Sequence, residues 1–266
     1  MPDIEIKHKK EVLAFDRMLS LMEQVRTECP WDNAQTNDSL RTLTIEELYE
    51  LSQAILDRND EDIKKELGDV MMHVVFYALI GKEKGKFDIT DVLDSLSEKL
   101  IRRHPHVFNK DLNLTAQDVE KNWERIKLKE GNRSTFAGVP QTLPSLIKAY
   151  RLQDKAKGIG FDWKSKEDVW KKVEEEIGEL KEEENKAGGA KNTELEFGDV
   201  LFSLINYARF IDVNPDTALE MTNRKFKRRF EYMETKAKEN GKPLQDMNTD
   251  EMEELWQEAK QKEKVL

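Results

Sequence analysis

The 266-residue chain has one cysteine, Cys29, and four histidines, His8, His73, His104 and His106. A single thiol excludes an intrachain disulfide and a cysteine zinc cluster, which fits a reducing, cytoplasmic setting. With so few histidines, an imidazole-based metal or acid–base scheme has little to draw on. Glycine and proline are also sparse at 12 and 7 residues, about 7% together where roughly 12% is usual, so turn chemistry for many short strands is missing. Long apolar runs are absent too. The longest, Val70 to Ile80, is interrupted by His73 and is too short to span a membrane. Met1 to Lys10 has charges with no apolar stretch behind them, so no secretion signal is expected.

Charge is abundant instead. Charged residues make up 37% of the chain, with 54 acids against 44 Lys and Arg, a net of −10. That balance excludes a generally basic nucleic-acid binder. Apolar residues recur at helical spacing, as in Phe15, Met18, Leu19, Met22 and Val25, or Val200, Leu201, Leu204, Ile205 and Ala208. Helices are expected at 10–28, 38–57, 60–84, 89–103 and 115–129, then at 142–157, 165–186, 191–210, 215–238 and 249–263. The fold class is all-α.

The chain also repeats itself. Glu46-Glu47-Leu-Tyr-Glu50 returns as Glu175-Glu176-Ile-Gly-Glu179, and Glu66-Leu-Gly68-Asp69 returns as Glu196-Phe-Gly198-Asp199. Lys99-Leu-Ile-Arg102-Arg103 returns as Lys225-Phe-Lys-Arg228-Arg229, and Glu120-Lys-Asn-Trp123 as Glu253-Glu-Leu-Trp256. Four matches in one order define two tandem, related helical bundles. Residues 1–130 form the first domain and 146–266 the second, joined by a linker over 131–145 that is rich in Gly, Pro and hydroxyl or amide residues.

Glu47 with Glu50, and Glu66 with Asp69, are each three residues apart and so share a helix face. If the two helices are antiparallel neighbours, four carboxylates converge, and Glu176, Glu179, Glu196 and Asp199 repeat the arrangement. Two carboxylates 4 Å apart repel by about 4 kcal/mol at an effective dielectric of 20. Protonation or a cation must relieve four. Oxygen-only ligands suit Mg²⁺, with Mn²⁺ a possible substitute, while the absence of a Glu-x-x-His pair disfavours di-iron. Gly68 and Gly198, inside these helices, point to close approach by another helix or a ligand. A caged Mg²⁺ typically meets substrate phosphates, and Lys225, Arg228 and Arg229 offer a basic helical face to receive them. Glu196, Asp199, Ser203 and Asn206 step along one face, where the amide of Asn206 can meet a base edge. Trp256 is either a stacking surface for a base or a core residue. His73 reads as a core histidine.

The acid pattern Glu-Glu-x-x-Glu followed by Glu-x-x-Asp resembles the MazG family of nucleoside triphosphate pyrophosphohydrolases. So do Cys29-Pro-Trp-Asp32 with Gln35-Thr36, Arg102-Arg-His-Pro-His-Val-Phe108, Gly160-Phe-Asp-Trp163 and Lys225-Phe-Lys-Arg-Arg-Phe230. The resemblance spans about residues 11–263. It implies Mg²⁺-dependent hydrolysis between the α and β phosphates to a monophosphate and pyrophosphate, serving nucleotide-pool or stress-related nucleotide control. It also implies a homodimer whose second domain is catalytic, while the first is structural, regulatory or a surface for a protein partner. Carried over by position, Glu176, Glu179, Glu196 and Asp199 are the metal ligands, with Glu47, Glu50, Glu66 and Asp69 a possible second site. Lys172, Glu175, Lys191 or Asn192, Lys225, Arg228, Arg229 and Trp256 contact the nucleotide, and Glu175 orients or deprotonates water. The rival reading is a helical module that binds a nucleotide or a protein without hydrolysis.

Overall fold

The computed structural model describes residues 7–108, 134–186 and 190–263. Its regular structure is helical throughout these residues, with no strand among them. The chain divides into two compact units, Met1–Ala116 and Gln117–Leu266. The helix expected at 115–129 and the expected domain boundary near 131 lie outside the described residues.

The first unit contains α1 (Lys9–Glu28), α2 (Pro30–Asn33), α3 (Asn37–Asp57), α4 (Asp60–Glu83), α5 (Ile89–Arg103) and α6 (Pro105–Phe108). Polar caps set the starts. The Thr36 hydroxyl accepts from Ser39 N while the Ser39 hydroxyl accepts from Thr36 N, a reciprocal cap that starts the helix at Asn37, one residue before the expected 38. Asn59 accepts from Glu61 N and Asp62 N at the head of α4, and Asp88 pairs with Asp91 at the head of α5. Between α3 and α4 the chain reverses in two residues, with Arg58 at φ 55°, and the helices then pack along one another. Met22 of α1, Leu40 of α3 and Val75, Phe76 and Ile80 of α4 form the core. The short α2 and α6 were not expected, because four residues are too few to show a helical period.

The second unit contains α7 (Ser145–Gly158), α8 (Lys166–Glu184), α9 (Ala190–Phe210), α10 (Pro215–Glu239), a 3-10 turn (Leu244–Asp246) and α11 (Thr249–Glu263). The helix expected from 142 begins at Ser145. Pro144 lacks an N–H and disfavours helical geometry at the residue before it, so it starts the helix instead of lying within it. Ser165 and Asn214 cap α8 and α10, and Asn248 exchanges bonds with Glu251 at the head of α11. Helix α9 lies against α7 and α8, whereas α10 packs on α11 through Met233, Ala237 and Leu255.

The glycines inside the acidic helices have a different setting from the one expected. A Cβ on Gly68 or Gly198 would meet nothing within 4 Å, so no described part of the chain presses on either. The close approach occurs at Gly81, where a Cβ would stand 2.7 Å from Phe87 O. The tight turn between α4 and α5 therefore requires that glycine.

Candidate functional site

Helix α8 buries Val169 and Val173, and that periodicity turns Lys172 and Glu176 toward α9. Glu196 and Asp199 come from α9. Single carboxylate oxygens of Glu176, Glu196 and Asp199 lie within 4.8 Å of one another. Glu176 is buried. Glu179, one turn on, abuts it, and its carboxyl is pushed above the usual range, chiefly by the hydrogen bond with Glu176 and then by burial. Lys172 Nζ reaches Glu175 at 2.7 Å and Glu176 at 2.8 Å, and these bonds raise its pKa. An ammonium group thus already leans on this set, as its concentrated negative charge requires. Three converging oxygen ligands with a cation beside them fit a hard divalent ion such as Mg²⁺ or Mn²⁺.

Two acids of the cluster border a cavity of about 680 Å³. Lys172, Glu176 and Asp199 belong to its wall, and Ser203 and Asn206 continue the wall along α9. Of the stripe expected at Glu196, Asp199, Ser203 and Asn206, the last three line one space. Leu152, Gln153 and Ala156 of α7 also line it, with the aromatic residues Phe136, Phe161, Trp163 and Phe202. Asp162 and Arg209, also in its lining, form a two-pronged ion pair, with Nη1 donating to Oδ2 at 2.9 Å and Nη2 to Oδ1. Gln153, Asp162 and Arg209 were not singled out in the sequence. The one signal was the stretch Gly160-Phe-Asp-Trp163, which carried the resemblance without an assigned role.

The remaining expected contacts lie elsewhere. Lys191 and Asn192 are exposed at the head of α9. Asn192, with Lys186 at 2.7 Å, binds Glu183 and holds its carboxyl below the usual range. Lys225, Arg228 and Arg229 are on α10. Arg228 and Arg229 pair with Glu263 at 3.2 and 2.7 Å, and the Arg229 guanidinium stands 5.4 Å from the Trp256 ring centroid. Phe226 packs on the same indole at 5.3 Å, so Trp256 takes part in the α10–α11 packing. None of these residues lines the cavity described above.

The first unit repeats the acids in a different setting. Oxygens of Glu47, Glu66 and Asp69 also lie within 4.8 Å of one another. Glu66 is 5% exposed, and Lys65 binds its Oε1 at 2.8 Å while Oε2 has no partner. Burial, then Asp69, Glu50 and Glu66, pushes the Glu47 carboxyl above its usual range. Glu50 lies in an adjoining open cleft of about 510 Å³ with Glu46, Asp57, Asp62 and Glu66. At the positions of Asn206, Ser203 and Lys172 stand Phe76, His73 and Leu43. Phe76 is 3% exposed against Met22 and Leu40. His73 is a buried core histidine, its Nδ1 3.0 Å from Thr44 Oγ1, and burial lowers its pKa.

These features define an all-helical protein in which two adjacent helices gather carboxylates, twice over. The profile of the MazG nucleotide pyrophosphohydrolase domain matches residues 35–108, in the first unit. Over 257 residues the chain is 42% identical to the nucleoside triphosphate pyrophosphohydrolase/pyrophosphatase MazG of Thermotoga maritima, covering 95% of this chain and 98% of that one. It is 37% identical to the nucleoside triphosphate pyrophosphohydrolase of Escherichia coli K12, covering 94% and 98%. It is also 46% identical to the uncharacterized protein YabN of Bacillus subtilis, covering 94% of this chain and 52% of that one. The chain belongs to the MazG family. Among the described residues no helix is long and apolar enough to cross a membrane.

Proposed function

We propose that the second unit hydrolyses nucleoside triphosphates, with Mg²⁺, between the α and β phosphates, releasing a monophosphate and pyrophosphate in control of the cytoplasmic nucleotide pool. The family is one of hydrolases acting on nucleotide anhydrides, and the names of the Thermotoga maritima and Escherichia coli relatives agree with it. The observation that carries the reading is the shared wall. Glu176 and Asp199 of the carboxylate cluster, with Lys172 paired to Glu176, also line a cavity large enough for a nucleoside.

Glu176, Glu196 and Asp199, with Glu179 beside them, would hold the cation. When bound, Mg²⁺ neutralises phosphate charge and lowers the pKa of a coordinated water. Lys172 is placed to exchange its carboxylate partners for phosphate oxygens. Glu175, exposed and reached by Lys172, would orient the attacking water or accept its proton. For Arg228 and Arg229 to contact the leaving pyrophosphate, their ion pairs with Glu263 must open, so their role belongs to the substrate-bound state. The exposed apolar positions Leu67, Met71 and Val74 recur as Phe197, Leu201 and Leu204, a duplicated stripe that suits pairing with a second copy of the chain.

The test is a panel of ribo-, deoxy- and modified triphosphates with Mg²⁺, with products resolved. Monophosphate plus pyrophosphate is expected. Diphosphate plus phosphate would refute the cleavage site, and tight binding without turnover would favour a regulatory module.

A further inference from the structure

We propose that Gln153 and Asn206 read the base of the bound nucleotide, Gln153 as hydrogen-bond acceptor and Asn206 as donor. The inference rests on the hydrolytic reading above and adds where the base goes and which groups select it.

The orientation of each amide is fixed from behind. Gln153 is 6% exposed on α7, and its Nε2 donates to Phe202 O at 2.8 Å. That bond assigns the two ends of the side chain and leaves Oε1 as an acceptor, buried and without a partner. Asn206 accepts at Oδ1 from Arg209 Nη2 at 2.9 Å, and Asp162 grips the same guanidinium. The amide group that Asn206 has left to offer is Nδ2–H₂, a donor. Both residues line the cavity that begins at Glu176 and Asp199. Phe161 and Trp163, exposed on its wall, offer apolar faces to a flat ring.

A carbonyl oxygen asks its ligand for an N–H, and an amide N–H asks for an acceptor. Adenine, guanine, cytosine, uracil and thymine each carry a donor next to an acceptor on one edge. The pair therefore admits all of them and rejects a ring whose edge has lost its N–H. A site built around a polar contact discriminates strongly against a ligand that leaves its polar group unpaired. The specificity follows: broad among natural bases, intolerant of a base without an edge N–H.

The discriminating substrate is purine riboside triphosphate, adenosine triphosphate with the amino group replaced by hydrogen. In the full chain with Mg²⁺, kcat/KM should favour ATP over the analogue by about tenfold, the worth of one hydrogen bond, carried by KM. Gln153→Met should lower ATP turnover until the two substrates converge. Asn206→Asp, which turns a donor into an acceptor, should raise KM for all the natural bases. Equal kcat/KM for ATP and the analogue in the unaltered chain would overturn the proposal, as would a preference that survives Gln153→Met. If Gln153→Met does not fold, the unaltered chain decides alone. Binding of the matching monophosphates without metal, followed by tryptophan fluorescence, separates this proposal from the reaction. A base preference in binding with no triphosphate hydrolysed sinks the hydrolytic reading and keeps the base site. Hydrolysis without any preference sinks the base site alone.

Discussion

In the second unit Ser203 and Asn206 look onto a cavity of about 680 Å³. At the matching positions of the first unit, His73 and Phe76 are core, each 3% exposed. The acids on the adjoining turns are the same residue types in both units, Glu66 and Asp69 against Glu196 and Asp199, and both sets converge. The two functions of the helix pair are therefore separable. One stretch of α4 or α9 gathers carboxylates, and the next one or two turns decide whether a ligand has room beside them. Filling that room stabilises the unit, because full burial of a Phe side chain is worth about 1.5–3 kcal/mol. Leaving it open forgoes that energy and exposes aromatic rings at Phe161, Trp163 and Phe202. Leu43 in place of Lys172 removes the ammonium that accompanies Glu175 and Glu176. The first unit therefore keeps the converging acids but has a leucine at the position of Lys172 and a buried phenylalanine at the position of Asn206.

That contrast can be broken by substitution. The largest effect is expected from Glu176→Gln, which should reduce turnover by about 10³-fold at saturating Mg²⁺, measured as pyrophosphate release. Next comes Phe76→Asn, which opens the filled position. It should cost about 3 kcal/mol of stability in denaturant unfolding, mainly through the cavity left behind, without creating nucleotide binding, since Leu43 remains. The reverse change, Asn206→Phe, imports the plug into the second unit. It should raise KM by at least about tenfold while the unit stays folded, because the first unit accommodates a phenylalanine at that position. Smallest is Glu66→Gln. Removing a buried carboxylate with an unpaired oxygen should raise the melting temperature without metal by about 2–4 °C and leave turnover within about twofold.

Much of this was legible in the sequence, because it depends on spacing. The helices follow from a period near 3.6, the duplicated acids from their repeat, and the polar stripe Glu196-Asp199-Ser203-Asn206 from steps of three and four on α9. The cavity was not legible. It is closed by Asp162 meeting Arg209 across 47 residues and by Gln153 bonding to the Phe202 carbonyl across 49, and such pairings have no local signature. The filled pocket of the first unit was half visible. Phe76 and His73 could be set against Asn206 and Ser203, but that Met22 and Leu40 complete the plug depends on how α1 meets α3 and α4. For Gly68 and Gly198 the expected close approach of another helix does not occur, since no described part of the chain lies within 4 Å of a Cβ at either.

The most direct measurement of the difference between the units is a count of nucleotide sites. Equilibrium binding of an α,β-methylene triphosphate, which resists cleavage, in excess Mg²⁺ should saturate at one nucleotide per chain. Asn206→Phe should weaken that binding by at least about tenfold and Glu66→Gln should leave it intact. Two nucleotides per chain, or loss of binding in Glu66→Gln with retention in Asn206→Phe, would contradict the assignment of the nucleotide to the second unit.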